Sequence, residues 1–190
     1  MFVFDIETLG KESNAVILSF ACVHFDDKEK STLQYMKDTA FFVKVDATDQ
    51  RKRLGRTYQS SSMDWWKKQC ENARIKSYIP KSNDVKIEDA IESFRTWSKQ
   101  FGESKSWVWA RGNLDQLVID SVEEQLEVEP VFHFSRWRDV RTAVDFLYGT
   151  ENGYCKIEYP GFDSFLHITK HDPVDDCILD AMMLLYGVAK

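Results

Sequence analysis

The sequence predicts an α/β fold in which a sheet is flanked by helices, and three observations predict it. β-forming apolar runs at residues 2–4, 15–25 and 39–45 come in succession, as in an antiparallel meander. A helical spacing of apolar residues runs from Ile87 to Phe101. The compact strand-like stretch Trp107-Val108-Trp109-Ala110 then leads directly into a second helical pattern, the strand-then-helix order of an α/β unit.

Composition agrees with this class. At 190 residues the chain is long enough for one well-cored domain and short for two, so residues 1–190 are read as one domain. A content of 43% hydrophobic and 14% aromatic residues belongs to an ordinary globular protein and not to a disordered chain. The net charge of −6 argues against a protein that wraps nucleic acid by bulk electrostatics. It leaves room for an enzyme that grips one strand end through metal ions, because carboxylate ligands themselves make such a site acidic. The four cysteines, Cys22, Cys70, Cys155 and Cys177, are scattered and form no Cys-x-x-Cys pair, so reduced thiols are expected and a zinc knuckle is not. No charged-then-apolar leader opens the chain and no apolar run reaches transmembrane length, so the expectation is a soluble cytoplasmic protein with no membrane partner.

In chain order, Phe2, Val3 and Phe4, closed by Gly10, read as a buried strand ending in a turn. Side chains at i and i+2 share a strand face, so Asp5 and Glu7 stand side by side where a core strand ends. Two like charges there repel and are costly to desolvate unless a cation lies between them, and hard carboxylate oxygens suit Mg²⁺ or Mn²⁺. An Asp-x-Glu pair alone is equally what a solvated strand end carries, so the chain must supply partners. Ala15 to Phe25 and Thr39 to Val45 complete the meander. From Asp46 to Ser62 apolar periodicity is lacking, and Arg51, Lys52, Arg53 and Arg56 read as a solvated loop or as a flexible basic arm that holds phosphates. Met63 to Arg74 reads as a helix. Its neighbours Trp65 and Trp66 point about 100° apart, so one belongs to the core and the other is free to stack on a base.

Tyr78 to Asp84 is a linker before the amphipathic helix that carries Ile87, Ala90, Ile91, Phe94, Trp97 and Phe101. Beyond strand 107–110, Asn113 is placed to cap a helix through Leu117, Val118, Val122 and Leu126, with Asp115 in its first turn. The helix dipole accounts for a carboxylate there, and so does a functional site, because α/β proteins place their sites at strand ends. Asp139 caps the apolar segment Ala143 to Tyr148, and residues 149–170 read as a long surface connection. Asp172 with Pro173 marks the N-cap and first position of a final helix that is apolar nearly all round. His171 lies just outside that helix and Asp176 in its first turns. In such a helix Asp176 and Asp180 need a partner or a water-filled site.

The chain thus holds, in order, Asp-x-Glu-Thr, an aspartate in Gly-Asn-Leu-Asp, and His-x-x-x-x-Asp at the start of the last helix. This constellation resembles the DEDDh 3′→5′ exonucleases. The resemblance implies their ribonuclease H-like fold, a central mixed five-stranded sheet with an antiparallel meander followed by parallel strands, flanked by helices. Asp-Ile-Glu-Thr-Leu-Gly, Trp-Trp-Lys-Lys-Gln, Trp-Ala-Arg-Gly-Asn-Leu-Asp, Arg-Asp-Val-Arg-Thr and His-Asp-Pro-Val-Asp-Asp extend the likeness over nearly the whole chain. They are similar to the branch of tailed-phage exonuclease A and its mycobacterial exoribonuclease relatives.

The resemblance implies a two-metal site. Asp5, Glu7 and Asp176 would hold the metal that carries the attacking water, Asp5 would bridge to the second metal, Asp115 would support that one, and His171 would be the general base. Two Mg²⁺ ions, with Mn²⁺ as substitute, would stabilise the attacking and leaving oxygens of an in-line displacement. The expected reaction is hydrolysis of single-stranded nucleic acid from 3′ ends to nucleoside 5′-monophosphates. DNA is favoured over RNA, in a host cytoplasm if the chain is phage-encoded, and homodimerisation is left open. Thr8 and Leu9 match positions that contact the terminal nucleotide, Leu9 wedging against its base, and Trp66 and Gln69 are added as substrate-binding residues. Arg138 and Arg141 either reach phosphate or structure the fold.

The chain departs from the family pattern in two places. Pro173 and Cys177 stand where the family usually has alanine, and both fit a helix start. His167, five residues before Asp172, offers a competing register, rejected because Asp172 precedes the proline and is better used as the cap. Asp172, four before Asp176, excludes the tyrosine variant of the family. Two rival readings fare worse. A haloacid-dehalogenase-type phosphatase opens with Asp-x-Asp-x-Thr, whereas here the second acid is Glu7 and Thr8 follows one position early. A ribonuclease H-like module used only for binding would have lost an acid, and all four acids and the histidine are present.

Overall fold

The fold is described here from a computed structural model of residues 1–102, 106–164 and 168–189. Strands β1 (Phe2–Thr8) and β2 (Ile17–His24) are followed by a short helix α1 (Leu33–Thr39) and by β3 (Phe41–Lys44). Next come α2 (Ala47–Arg53), α3 (Ser60–Trp66), the single turn α4 (Glu71–Ala73) running into a π-helical turn at Arg74–Tyr78, and α5 (Ile87–Ser98). β4 (Val108–Ala110), α6 (Leu114–Gln125), β5 (Trp137–Asp139) and α7 (Val140–Tyr148) then alternate. A two-residue strand β6 (Lys156–Ile157), the long helix α8 (Pro173–Tyr186) and β7 (Gly187–Val188) complete the order.

Five strands form one sheet in the order β3-β2-β1-β4-β5, with β1 at its centre. β1, β2 and β3 pair antiparallel, while β4 and β5 run parallel to β1. This is the ribonuclease H-like sheet that the resemblance implies.

The alternation of side chains along β1 decides what lies on each face of the sheet. Phe2, Phe4 and Ile6 pack on one side with Phe20, with Ile87, Ile91 and Phe94 of α5, and with Val118 and Val122 of α6. Burying each such phenylalanine is worth on the order of 2–3 kcal/mol. Val3 points the other way and packs with Ala21 and Val23 and with Cys177, Ile178, Ala181 and Met182 of α8. Asp5 and Glu7 follow Val3 in the same period of two, so the strand presents both carboxylates towards α8.

The segment from Asp46 to Ser62 is neither a solvated loop nor a flexible arm. Asp46 caps α2, its carboxylate accepting from the backbone N–H groups of Thr48 and Asp49. Gln50, fully buried, clamps α2 to the sheet: its Oε1 accepts from Ile17 N–H at 2.9 Å, and its Nε2 donates to Ile17 O at 2.8 Å. Arg56 is also buried and donates to the carbonyls of Ala15 and Ser13, both at 3.0 Å, while Arg53 pairs with Asp49 and Glu88. The helix is fixed by polar side chains reaching backbone, which hydrophobic periodicity does not register.

Other boundaries differ as well. α1 interrupts the meander, capped by the Thr32 hydroxyl and anchored by buried Met36. The single helix expected over Met63–Arg74 breaks after Trp66, and the chain returns so that Tyr78 stacks on the Trp66 ring at 5.8 Å. Asn113 precedes α6 without a capping hydrogen bond from its side chain. Within the connection 149–170, β6 pairs with β7. Asp139 and Asp172 cap their helices as expected, and Asp180 has the partner its burial requires, the Arg111 guanidinium. Gln50→Ala strands both the N–H and the C=O of Ile17. At about 1–3 kcal/mol for each orphaned buried group, urea unfolding is expected to show a loss of at least 2 kcal/mol.

Candidate active site

Three elements converge where β1 ends. β1 brings Asp5 and Glu7, the first turn of α6 brings Asp115 just past the end of β4, and the first turns of α8 bring Asp176. The acids act on one another. Burial first, then Glu7, Asp115 and Asp176, hold the Asp5 carboxyl well above its ordinary range. Burial, then Asp176 and Asp115, do the same to Glu7. Asp115 is pushed up to about 7 by burial, against a backbone hydrogen bond from Ile6. Asp176 also rises to about 7 by burial, against the His171 N–H that donates to its Oδ2 at 2.9 Å. Among the described residues none of the four pairs with a lysine or arginine. The nearby Arg111 is committed to Asp180 through its Nε at 3.1 Å, to Gly153 O at 3.0 Å, and to the Tyr154 ring.

The donor set fits divalent cations. Asp5 Oδ2 is buried without a hydrogen-bond partner, an orphan that a cation would satisfy. Glu7, His171 and Asp176 each offer a ligand atom, and these atoms lie within 4.8 Å of one another. Hard oxygen donors of this kind select Mg²⁺, Mn²⁺ or Ca²⁺ over softer metals.

His171 immediately precedes Asp172, the N-cap of α8. The His171 φ of 66° is left-handed, a conformation that costs a non-glycine residue on the order of 1–3 kcal/mol. The hydrogen bond to Asp176 and an edge-to-face contact with Trp65, centroids 4.7 Å apart, hold it there. Burial and then Lys170 lower its pKa, which favours the neutral imidazole. Beside Glu7 opens a cleft of about 440 Å³ whose lining includes Thr8, Lys11, Ser61, Ser62 and Trp65.

The expected substrate contacts are redistributed. Trp66 is 1% exposed, donates from Nε1 to Thr8 O at 3.0 Å and packs against Tyr78, so it is chiefly a core residue that also forms part of the cleft lining. Trp65, 42% exposed, is the free ring of the pair. Leu9 is buried with Val16, Leu18 and Trp66 and does not present a wedge to the cleft. Gln69 donates to the carbonyl of Trp65 at 2.9 Å and does not line the cleft. Thr8 does line it, with its hydroxyl donating to Gly10 O. Arg138 lies over the Trp107 ring and donates to the carbonyls of Ser135 and Trp137, a structural use of its charge. His167 lies outside the described residues. Lys11, Ser61 and Ser62 are common polar residues in no motif, and only the fold assembles them; for the tryptophans, spacing restricts the choice without making it.

A family model, described as the 3′-5′ exoribonuclease Rv2179c-like domain, matches residues 1–187. The chain belongs to this exonuclease family. It is 27% identical over 207 aligned residues to an exodeoxyribonuclease of Enterobacteria phage T4, a match that covers 98% of this chain and 88% of the phage protein. Two solved structures are similar. Cell-death related nuclease 4 has a TM-score of 0.47 at 13% identity, covering 96% of this chain and 62% of its own. Exonuclease X in complex with 5′ overhanging duplex DNA has a TM-score of 0.49 at 12% identity, covering 96% and 90%. The family match makes the protein an exonuclease. No helix among the described residues is long and apolar enough to cross a membrane.

In this exonuclease the raised carboxyls tie the stability of the fold to pH. A carboxyl whose folded pKa is raised keeps a proton that the unfolded chain releases. Its stabilising effect is complete below about pH 4 and is lost as pH rises through about 7 for Asp115 and Asp176. A cation bound among these carboxyls would displace those protons. The rise in melting temperature caused by Mn²⁺ over EDTA is expected to be larger at pH 8 than at pH 5, and Asp5→Asn is expected to lose most of it.

Proposed function

We propose that the chain acts as one domain, over residues 1–190, to hydrolyse single-stranded nucleic acid from its 3′ end, with DNA as the preferred polymer. The observation that carries this reading is the convergence of four carboxyls all held above their ordinary pKa, one with an orphaned buried oxygen, beside a histidine whose ring contacts Trp65 of the adjoining cleft. The phage relative is named an exodeoxyribonuclease and aligns over 98% of the chain, which supports DNA; the family's description as exoribonucleases makes RNA the alternative.

In this mechanism Asp5, Glu7, Asp115 and Asp176 would hold two divalent cations, Mg²⁺ or in its place Mn²⁺. When bound, the cations supply positive charge to the attacking and leaving oxygens of an in-line displacement at phosphorus. The chain's own residues supply the rest. Trp65 offers its exposed ring for the terminal base to stack upon, a contact indifferent to base identity. Thr8, Lys11, Ser61 and Ser62 line the path of the sugar and phosphate. His171, kept neutral, accepts at a ring nitrogen the proton of the attacking water. Asp176 positions that ring by accepting the His171 backbone N–H. The water oxygen bonds to phosphorus, the bond to the 3′ oxygen breaks, and a nucleoside 5′-monophosphate leaves, with a 3′ hydroxyl on the shortened strand.

Single-stranded DNA and RNA of the same sequence, each labelled at the 5′ end, test the reading with Mg²⁺ or Mn²⁺ against EDTA. A metal-dependent ladder shrinking from the 3′ end is expected, faster on DNA. His171→Ala is expected to lose about 10²- to 10⁴-fold in rate while keeping the Mn²⁺-dependent rise in melting temperature. Digestion from the 5′ end, or full activity in EDTA, contradicts the proposal.

A further inference from the structure

The basic residues after Asp46 gain a new meaning once their geometry is known. Thr48, Arg51, Lys52, Arg56 and Tyr58 line a cavity of about 320 Å³ on the surface of α2, and no acid lines it. Arg51 lies over the Tyr58 ring at 4.1 Å, which fixes the guanidinium over an aromatic face and leaves its edge N–H groups free. Arg51 and Lys52 have no acidic partner among the described residues, whereas Arg53, one position on, is saturated by Asp49 and Glu88. Beneath them the Arg56 guanidinium is 4% exposed and bound to the neutral oxygens of Ala15, Ser13 and Gln125. A buried cation compensated only by neutral dipoles leaves net positive potential at the cavity floor. Its pKa, drawn down to about 10 by burial, still leaves it charged at neutral pH.

A short stretch of chain links this positive cavity to the cleft beside Glu7. Tyr58 lines one, and Ser61, three residues on, lines the other. Three extended residues span at most about 10 Å, the reach of a few nucleotides. A protein with a net charge of −6 thus concentrates unpaired positive charge a few nucleotides from the place where a 3′ end would lie. Resting on the exonuclease reading above, we propose that the Arg51–Lys52–Tyr58 cavity binds backbone phosphates of the substrate strand upstream of its 3′ end. The cavity then sets the enzyme's grip on longer strands. Arg51 engages a phosphate through its edge, Lys52 supplies a second charge, and Arg56 maintains the potential from below. A dinucleotide ends short of this site, while a decamer passes over it.

The test pairs the double variant Arg51→Ala with Lys52→Ala against wild type on a dinucleotide and on a single-stranded decamer. Fluorescence anisotropy of the decamer in Ca²⁺ is measured across a salt series alongside. Expected are a KM about tenfold higher on the decamer with kcat unchanged, an unaltered rate on the dinucleotide, and a fall of about 1.4 in the slope of log affinity against log salt. Exchanging the two cations, as Arg51→Lys with Lys52→Arg, is expected to restore most of the affinity. Equal losses on both lengths would place the effect in the cleft and overturn the proposal, as would an unchanged salt slope. If wild type digests nothing, the exonuclease reading fails, and the salt slope still decides the cavity by itself.

Discussion

Four carboxylates crowded at the end of one buried strand form the constraint on which the rest of the structure depends. Burial raises the pKa of all four, neighbouring members of the set add to this at Asp5 and Glu7, and among the described residues none of them takes a lysine or arginine as partner. Their mutual repulsion and desolvation oppose folding at neutral pH without cations, so the surrounding frame must hold them together against that cost. Apolar packing supplies the hold. On one sheet face the aromatic layer of Phe2, Phe4, Phe20 and Phe94 is dry and continuous, and on the other Ile178, Ala181 and Met182 press α8 onto Val3.

The same frame explains why three stretches distant in sequence become neighbours. β1 is central, β4 pairs with it in parallel, and α8 crosses the opposite face, so a strand end, a helix start beyond a neighbouring strand, and the first turns of the last helix meet at one edge. Asp180 lies one turn beyond Asp176 and is more enclosed, yet it is paired with Arg111. This contrast separates Asp180, which an ion pair closes, from the cluster, which bound cations would close.

How much of this was legible in the sequence depends on what kind of interaction fixes each part. The strand that carries Asp5 and Glu7, the Asp172-Pro173 start of the last helix and the amphipathic pattern from Ile87 follow from local periodicity and capping chemistry, and the structure has them in place. The acids and His171 were legible from motif spacing, because the resemblance supplied the pairing that no local rule can. The helix over Ala47–Arg53 was not legible, since Gln50 and Arg56 hold it through backbone atoms 33 and 41 positions away in sequence. Trp66 and Leu9 went to the core for a similar reason. Only the return of the chain at Tyr78 shows which tryptophan is covered, and only the cluster with Val16 and Leu18 shows where Leu9 points.

The central claim is that the acid cluster is a cation site that includes the orphaned oxygen of Asp5. Anomalous diffraction from crystals soaked in MnCl₂ tests it most directly, because it locates the ions independently of any activity. The account predicts two peaks at the end of β1, with the Asp5 carboxylate between them and with Glu7, Asp176 and Asp115 around them. Crystals that diffract well but show no anomalous peak within reach of Asp5, or show manganese only elsewhere on the protein, would contradict it.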